Sequence, residues 1–297
     1  MKKIPPVTFY TDLPELDDSL KSCFLNEMAA CGAEHLVLTS SILGSMLGNH
    51  DLIKKYAAQL KSAGLDFVDS HALYGAKWDL NCACEAWRDM LALKHKISLN
   101  IAANLGVKSM TFHIGNDFTQ PEIPEKVHME RIFSMLDILL PEAEKLDMVI
   151  AIENSWTCLA SVDKLLEIKA AYPTGHLGLC YDSGHANIMD NGRLYPQGPA
   201  YETWQPMQTA VPRWEDKALE KMLKEVTVCH LHDNDGSGDY HNLPGCGNID
   251  WRKTVELLKK APRLMAIQSE VSAVRHRISC QQLVKTFADL FNDGEEK

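Results

Sequence analysis

The sequence predicts a single-domain (β/α)8 TIM barrel of the α/β class, spanning residues 1–297. Three observations predict it. Eight short apolar segments alternate with segments of helical apolar spacing. Those apolar segments lack polar alternation, so both faces are buried, as in a parallel sheet covered by helices. No glycine lies between Tyr10 and Leu16, where an open doubly wound sheet would carry its phosphate loop.

The elements follow in order. The first strand is expected at residues 7–10, after Pro5 and Pro6. Leu16, Leu20, Phe24 and Met28 share one helical face over 16–30, and Gly32 stops that helix. Strands at 35–39 and 65–71 enclose a helix at 51–63, capped by Asp51 and ended by Gly64. A long helix covers 84–105 and ends at Gly106. Strand four is 109–113, helix four 124–146, and strand five (MVIAIE) 148–153. A helix at 161–171 takes Ser161 as its N-cap and stops at Pro173 and Gly175. Strand six is 177–182 and strand seven 226–230. Asp250 caps a helix at 251–260, strand eight is 264–270, and a last helix covers 280–291. The tail at 292–297 is expected to fray. Residues 193–214 break the rhythm with four prolines and four aromatics, and are read as a lid over the barrel mouth.

Bulk properties exclude several classes. With 45% hydrophobic and 24% charged residues, a chain of 297 can bury a large core without disulfides. No run of eighteen apolar residues suggests a membrane span, and MKKIPPVTFYTDL is not a signal peptide, so a cytoplasmic protein is expected. A net charge of −10 disfavours nucleic acid as the partner. The nine cysteines are scattered and read as reduced. Self-association into a homo-oligomer is left open.

Function is legible at the strand ends, because the C-terminal strand ends of such a barrel converge on one mouth. The expected strands three to eight end in His71, His113, Glu153, Asp182, His230 and Glu270. His185 lies three residues after Asp182, and Asp239 and His241 lie in the loop after strand seven. Unpaired carboxylates gathered in a mouth repel and cost several kcal/mol each, so they imply a cation. Mixed carboxylate and imidazole donors suit zinc, manganese, iron or cobalt, with magnesium also a candidate, in one ion or several. His230 and His232 stand two apart and face the same side of a strand. Spacing leaves both open as the ligand; His230 is preferred because it directly ends an apolar run.

The segments IAIENS (150–155), YDSGHAN (181–187), HLHDNDG with DYHNLPGCGNIDW (230–251) and IQSEVS (267–272) resemble the xylose isomerase-like barrel superfamily. The likeness is to its sugar phosphate isomerase/epimerase group. It implies that Glu153, Asp182, His230 and Glu270 hold one divalent metal and that His185 lies beside the substrate. The same residues also resemble endonuclease IV, a related three-zinc enzyme. Its further ligands map onto His71, His113, His185, Asp239 and His241. Two departures stand out: His113-Ile114-Gly115 replaces a His-Pro-Gly, and Gly236, or Gly238 counting from His232, stands where ketose 3-epimerases carry an arginine.

The expected function is therefore metal-dependent isomerisation or epimerisation of a sugar or sugar derivative, by proton transfer next to a carbonyl. Glu153 and Glu270 would serve as base and acid. His113 and His185 would bond substrate hydroxyls, and His71, His232, Asp239 and His241 would bind substrate or additional metal. The alternative is a multi-zinc phosphodiesterase acting on abasic DNA.

Overall fold

In a computed structural model describing residues 4–11, 13–207 and 211–292, eight parallel strands close in chain order. They are β1 (Val7–Phe9), β2 (His35–Leu38), β3 (Asp66–His71), β4 (Ser109–Phe112), β5 (Val149–Glu153), β6 (Leu177–Asp182), β7 (Val226–Leu231) and β8 (Ala266–Ser269). β1 pairs with both β2 and β8, so the sheet has no edge. Helices alternate with the strands and wrap the outside. Among the described residues no helix is long and apolar enough to cross a membrane.

Both faces of the strands are buried, but they differ in chemistry. In β4, Met110 and Phe112 join the large core beneath the helices, and Ser109 and Thr111 are the intervening residues. In β5 and β6, Ile150, Ile152, Leu177, Leu179 and Tyr181 join that core. Ala151, Cys180 and Val228 instead form a separate small cluster. Large side chains thus pack outward and small or polar ones occupy the barrel axis.

Several local expectations change. β4 stops at Phe112 and β8 at Ser269, so His113 and Glu270 stand one residue beyond their strands. The first helix starts at Asp18, after a 3-10 turn at Leu13–Glu15. Asp51 lies inside the first turn of its helix, and Asn49 Oδ1 accepts its N–H at 3.1 Å. An unforeseen helix, Ser40–Gly48, buries Ile42, Leu43 and Met46. That tertiary burial overrides the cost of Gly44 in a helix interior. A second, Ser183–Asn191, starts directly from β6. Asp250 does cap its helix, accepting the Lys253 N–H at 3.0 Å. Ser161 stands at its N-cap position without a side-chain cap bond. Residues 293–297 of the expected frayed tail lie outside the described residues.

The segment at 193–214 is a prop rather than a lid. Its helix Pro199–Trp204 buries Trp204 with Ile188 and Met189 against Trp156. Trp204 Nε1–H donates to the Trp156 carbonyl at 2.7 Å. None of its described residues lines the mouth cavity, whereas Trp156 does. Residues 208–210 of this segment lie outside the described residues.

Candidate metal centre

Period-two geometry builds the site. Ala151, Cys180 and Val228 meet on the axis, and Glu153, Asp182 and His230 stand two residues further along the same strand faces. Pairing of Asp182 with His230 in register sets β6 and β7 at one level. His230 Nδ1 lies 3.2 Å from Glu153 Oε1 and 3.3 Å from Glu270 Oε1. Glu153, Asp182, His230 and Glu270 can each offer a ligand atom within 4.8 Å of all the others. The geometry therefore brings His230 to both Glu153 and Glu270, whereas His232 comes within reach of Glu270 alone of the two.

Two further histidines reach Glu153 from β3 and from the loop after β4. His113 Nε2 lies 3.1 Å from Glu153 Oε2, and His71 Nε2 lies 3.5 Å from it. A second gathering surrounds Asp239, which the loop after β7 folds back over the mouth. His241 Nε2 is 3.0 Å and His185 Nε2 3.5 Å from Asp239 Oδ2. The three-residue spacing of Asp182 and His185 is a helix N-cap relation, with Asp182 Oδ1 accepting the His185 N–H at 2.7 Å.

The loop carrying Asp239 and His241 is pinned by Asp233, which is fully buried. Its Oδ2 accepts the Gly245 N–H and the Trp251 Nε1–H, both at 2.8 Å. Asp233 and Asn242 also exchange backbone bonds. Nothing in the local sequence marks this role of Asp233, since its hydrogen bonds reach residues up to eighteen positions away.

The imidazoles are oriented from behind. His71 Nδ1–H donates to the Ala72 carbonyl at 2.8 Å, His185 Nδ1–H to Asn154 at 2.8 Å, and His241 Nδ1–H to Glu270 at 2.7 Å. Each bond places the proton on Nδ1 and leaves the Nε2 lone pair facing a carboxylate. His230 is reversed: Nε2 meets Thr111 Oγ1 at 3.3 Å and Nδ1 faces the carboxylates. In the neutral form such a lone pair repels the carboxylate, so an ion or a second proton belongs between them. Glu153 Oε2 and Asp239 Oδ1 are buried and accept no hydrogen bond. This donor set fits a divalent ion.

Electrostatics agree. Burial opposes charge on Glu153 and Glu270, yet His230 and its neighbours hold both carboxyls well below the usual range. Burial likewise opposes charge on His241, but Asp239 and Glu270 raise its pKa to about 9. The cluster draws positive charge toward itself.

His232 occupies a different place. It is fully buried, its Nε2 lies 3.1 Å from Asp182 Oδ2, and its ring stacks on His241 at 4.0 Å with planes 15° apart. His232, His241 and Glu270 can bring ligand atoms within 4.8 Å of one another, as can Asp182, His185 and His232. A Cβ at Gly184 would fall 2.0 Å from His232 Cε1, so that glycine makes room for the ring.

The cluster opens into a cavity of about 490 Å³. Its wall adds Tyr10, Tyr74, Asp79, Asn116 and Phe118, which sequence reading did not single out. They sit in loops without motif or periodicity, so only the assembled mouth reveals them.

A family model described as Xylose isomerase-like TIM barrel matches residues 28–269. An uncharacterised protein, y4fM, of Sinorhizobium fredii is 27% identical over 165 residues, covering 54% of this chain and 45% of that protein. The chain spans about half the length of the curated relatives it matches. A D-tagatose 3-epimerase-like protein superposes with TM-score 0.68 at 20% identity, covering 98% of this chain and 99% of the other. The IOLI protein with a zinc atom superposes with TM-score 0.70 at 15% identity, covering 98% and 100%. At these identities the structural likeness speaks for the fold alone.

Proposed function

The chain belongs to the xylose isomerase-like TIM barrel family, and from that membership we propose that it is a divalent-metal-dependent sugar isomerase or epimerase. One observation carries the reading: Glu153 at the end of β5 and Glu270 just past β8 face the same buried histidine, His230, and both glutamates line one cavity. Glu153, Asp182, His230 and Glu270 are the proposed ligands. A divalent ion held there would act as a Lewis acid toward a carbonyl and its neighbouring hydroxyl. Manganese, zinc, cobalt and magnesium are its candidates.

The chain's own groups do the rest. One of the two glutamates takes the proton from the carbon next to the carbonyl, and the other returns it. Gln268 Nε2–H donates to Glu270 Oε1 at 3.1 Å and steadies that carboxylate. His113 and His185 line the cavity and reach substrate hydroxyls. Trp156 contributes an apolar wall to the same cavity and packs edge-on against His185, ring centroids 4.8 Å apart. The D-tagatose 3-epimerase-like neighbour and the zinc atom in the IOLI protein support this reading.

A second reading, a multi-ion phosphodiesterase, is favoured by His71 and His113 on Glu153 and by His185 and His241 on Asp239. Charge separates the two. Three carboxylates around one dication leave a net negative charge, which suits a neutral sugar. Three dications would outweigh all the carboxylates of the mouth and suit an anionic phosphodiester. Metal analysis of the purified protein should return close to one ion per chain. A panel of aldoses and ketoses with each candidate ion should show solvent proton exchange at the carbon next to the carbonyl. Three ions per chain, with cleavage of abasic DNA and no sugar exchange, would sink the isomerase reading.

His232 supplies a further expectation. His232→Phe keeps the ring on His241 but loses the contact with Asp182 Oδ2. It should weaken ion affinity about 10–100-fold, the usual cost of losing a partner behind a ligand. His232→Gln keeps a donor and should recover part of that loss. Competition with a fluorescent chelator measures both; equal affinity in wild type and His232→Phe would remove His232 from this role.

A further inference from the structure

The mouth cavity holds more than the ion cluster. Of its roughly 490 Å³, a hexose ring on the ion fills only part. The remaining wall comes from the loops after β3, β4 and β5: Tyr74, Asp79, Asn116, Phe118, Trp156 and Thr157. Three of these are aromatic, and three carry a carboxylate, amide or hydroxyl. Among the described residues no lysine or arginine lines the cavity.

Asp79 is the notable member. It is only 4% exposed. The Gly75 N–H donates to its Oδ1 at 2.7 Å, which fixes the carboxyl plane. The side chain lines the cavity wall. Burial pushes the Asp79 pKa up against the opposing pull of His113, the Gly75 N–H and His71, so the carboxylate is held at a desolvation cost. A ligand hydroxyl in the cavity would relieve that cost by donating to the Asp79 carboxylate, a charge-assisted bond. The aromatic side chains offer apolar faces to the C–H side of a sugar ring, and Asn116 and Thr157 offer further polar partners. A phosphate or carboxylate on this part of a ligand would meet Asp79 and, among the described residues, no lining lysine or arginine.

We infer that this wall is a second-ring subsite, with Asp79 as its hydroxyl acceptor, and that the substrate is a neutral glycoside or disaccharide rather than a free or phosphorylated monosaccharide. The inference rests on the sugar reading above and narrows it. One ring engages the ion cluster, and its glycosidic partner lies against Asp79 and the aromatic wall.

The test uses the metal-loaded full chain, with ligand binding followed by saturation-transfer NMR and calorimetry. The probes are glucose, glucose 6-phosphate and a panel of neutral glucose disaccharides. At least one disaccharide should bind about tenfold or more tightly than glucose, and glucose 6-phosphate no better than glucose. Asp79→Asn should cost that disaccharide about tenfold more affinity than it costs glucose, the size of a lost charge-assisted hydrogen bond. Ion content is the control for folding. Tyr74→Ala, at a residue 49% exposed, is a second variant that truncates the wall at little risk to folding and should cut the same preference. Glucose binding without a disaccharide preference, tighter binding of the phosphate ester, or an Asp79→Asn variant with unchanged preference overturns the subsite and leaves the sugar reading standing. Binding of none of these sugars overturns both.

Discussion

Replacing Glu153 with glutamine should abolish ion uptake and turnover together. Glu153 is 3% exposed and sits among His71, His113, His185 and His230. Its charge persists against the cost of burial because His230 and His113 favour the ionised form. Glutamine matches it in shape but removes that charge and turns an amide donor or a neutral carbonyl toward the imidazoles. Ion affinity should fall by at least about 100-fold, since a ligand to the ion is lost rather than a group behind one. The kcat should fall by about 10³-fold or more, combining lost electrostatic stabilisation and lost acid–base function. Metal content after dialysis and single-turnover proton exchange measure the two effects. A Glu153→Gln protein with a full complement of ion and wild-type turnover would remove Glu153 from the centre.

Glu270→Gln should separate proton transfer from ion binding. Glu270 enters from the end of β8, reaches His230 through Oε1, and lines the cavity. The three other proposed ligands remain in the variant, so a measurable share of ion should be retained at saturating metal. Proton exchange next to the carbonyl should nevertheless fall by about 10²–10⁴-fold, the usual contribution of a positioned acid or base. The informative comparison is rate per bound ion. If Glu270→Gln isomerises or epimerises sugar at the wild-type rate per ion, the acid–base assignment is wrong and Glu270 is a ligand only.

Much of the site was readable before the fold because strand geometry repeats. A residue two positions past an axial one faces the same way, and parallel strands of a barrel all present their C-terminal ends to one mouth. Glu153, Asp182 and His230 could therefore be grouped from their places at the ends of apolar runs, although they are up to 77 positions apart. His113 and Glu270 line the same mouth although they stand one residue outside their strands, because a one-residue extension still reaches it. Helices Ser40–Gly48 and Ser183–Asn191 were not foreseen. Glycines inside both weaken the helical signal, and burial against the barrel supplies what local propensity lacks.

The choice between His230 and His232 shows where sequence stopped. Both lie on one face of the same strand run, and each has an aspartate three residues on, so spacing is symmetric. Tertiary contacts break the symmetry: His230 reaches Glu153 and Glu270, whereas His232 stacks on His241 behind Asp182. The 193–214 segment shows the same limit. Its composition marked it as unusual, but only packing of Trp204 behind Trp156 made it a prop instead of a lid.

By itself, the sequence determined the barrel and the residues that meet at its mouth, because periodicity and strand-end position are local properties that a closed parallel barrel converts directly into geometry. Only the tertiary structure decided which imidazole nitrogen faces which carboxylate, and that Asp79 and the aromatic wall share the cavity. Those relations depend on loops, whose course is set by side-chain hydrogen bonds and packing between distant segments.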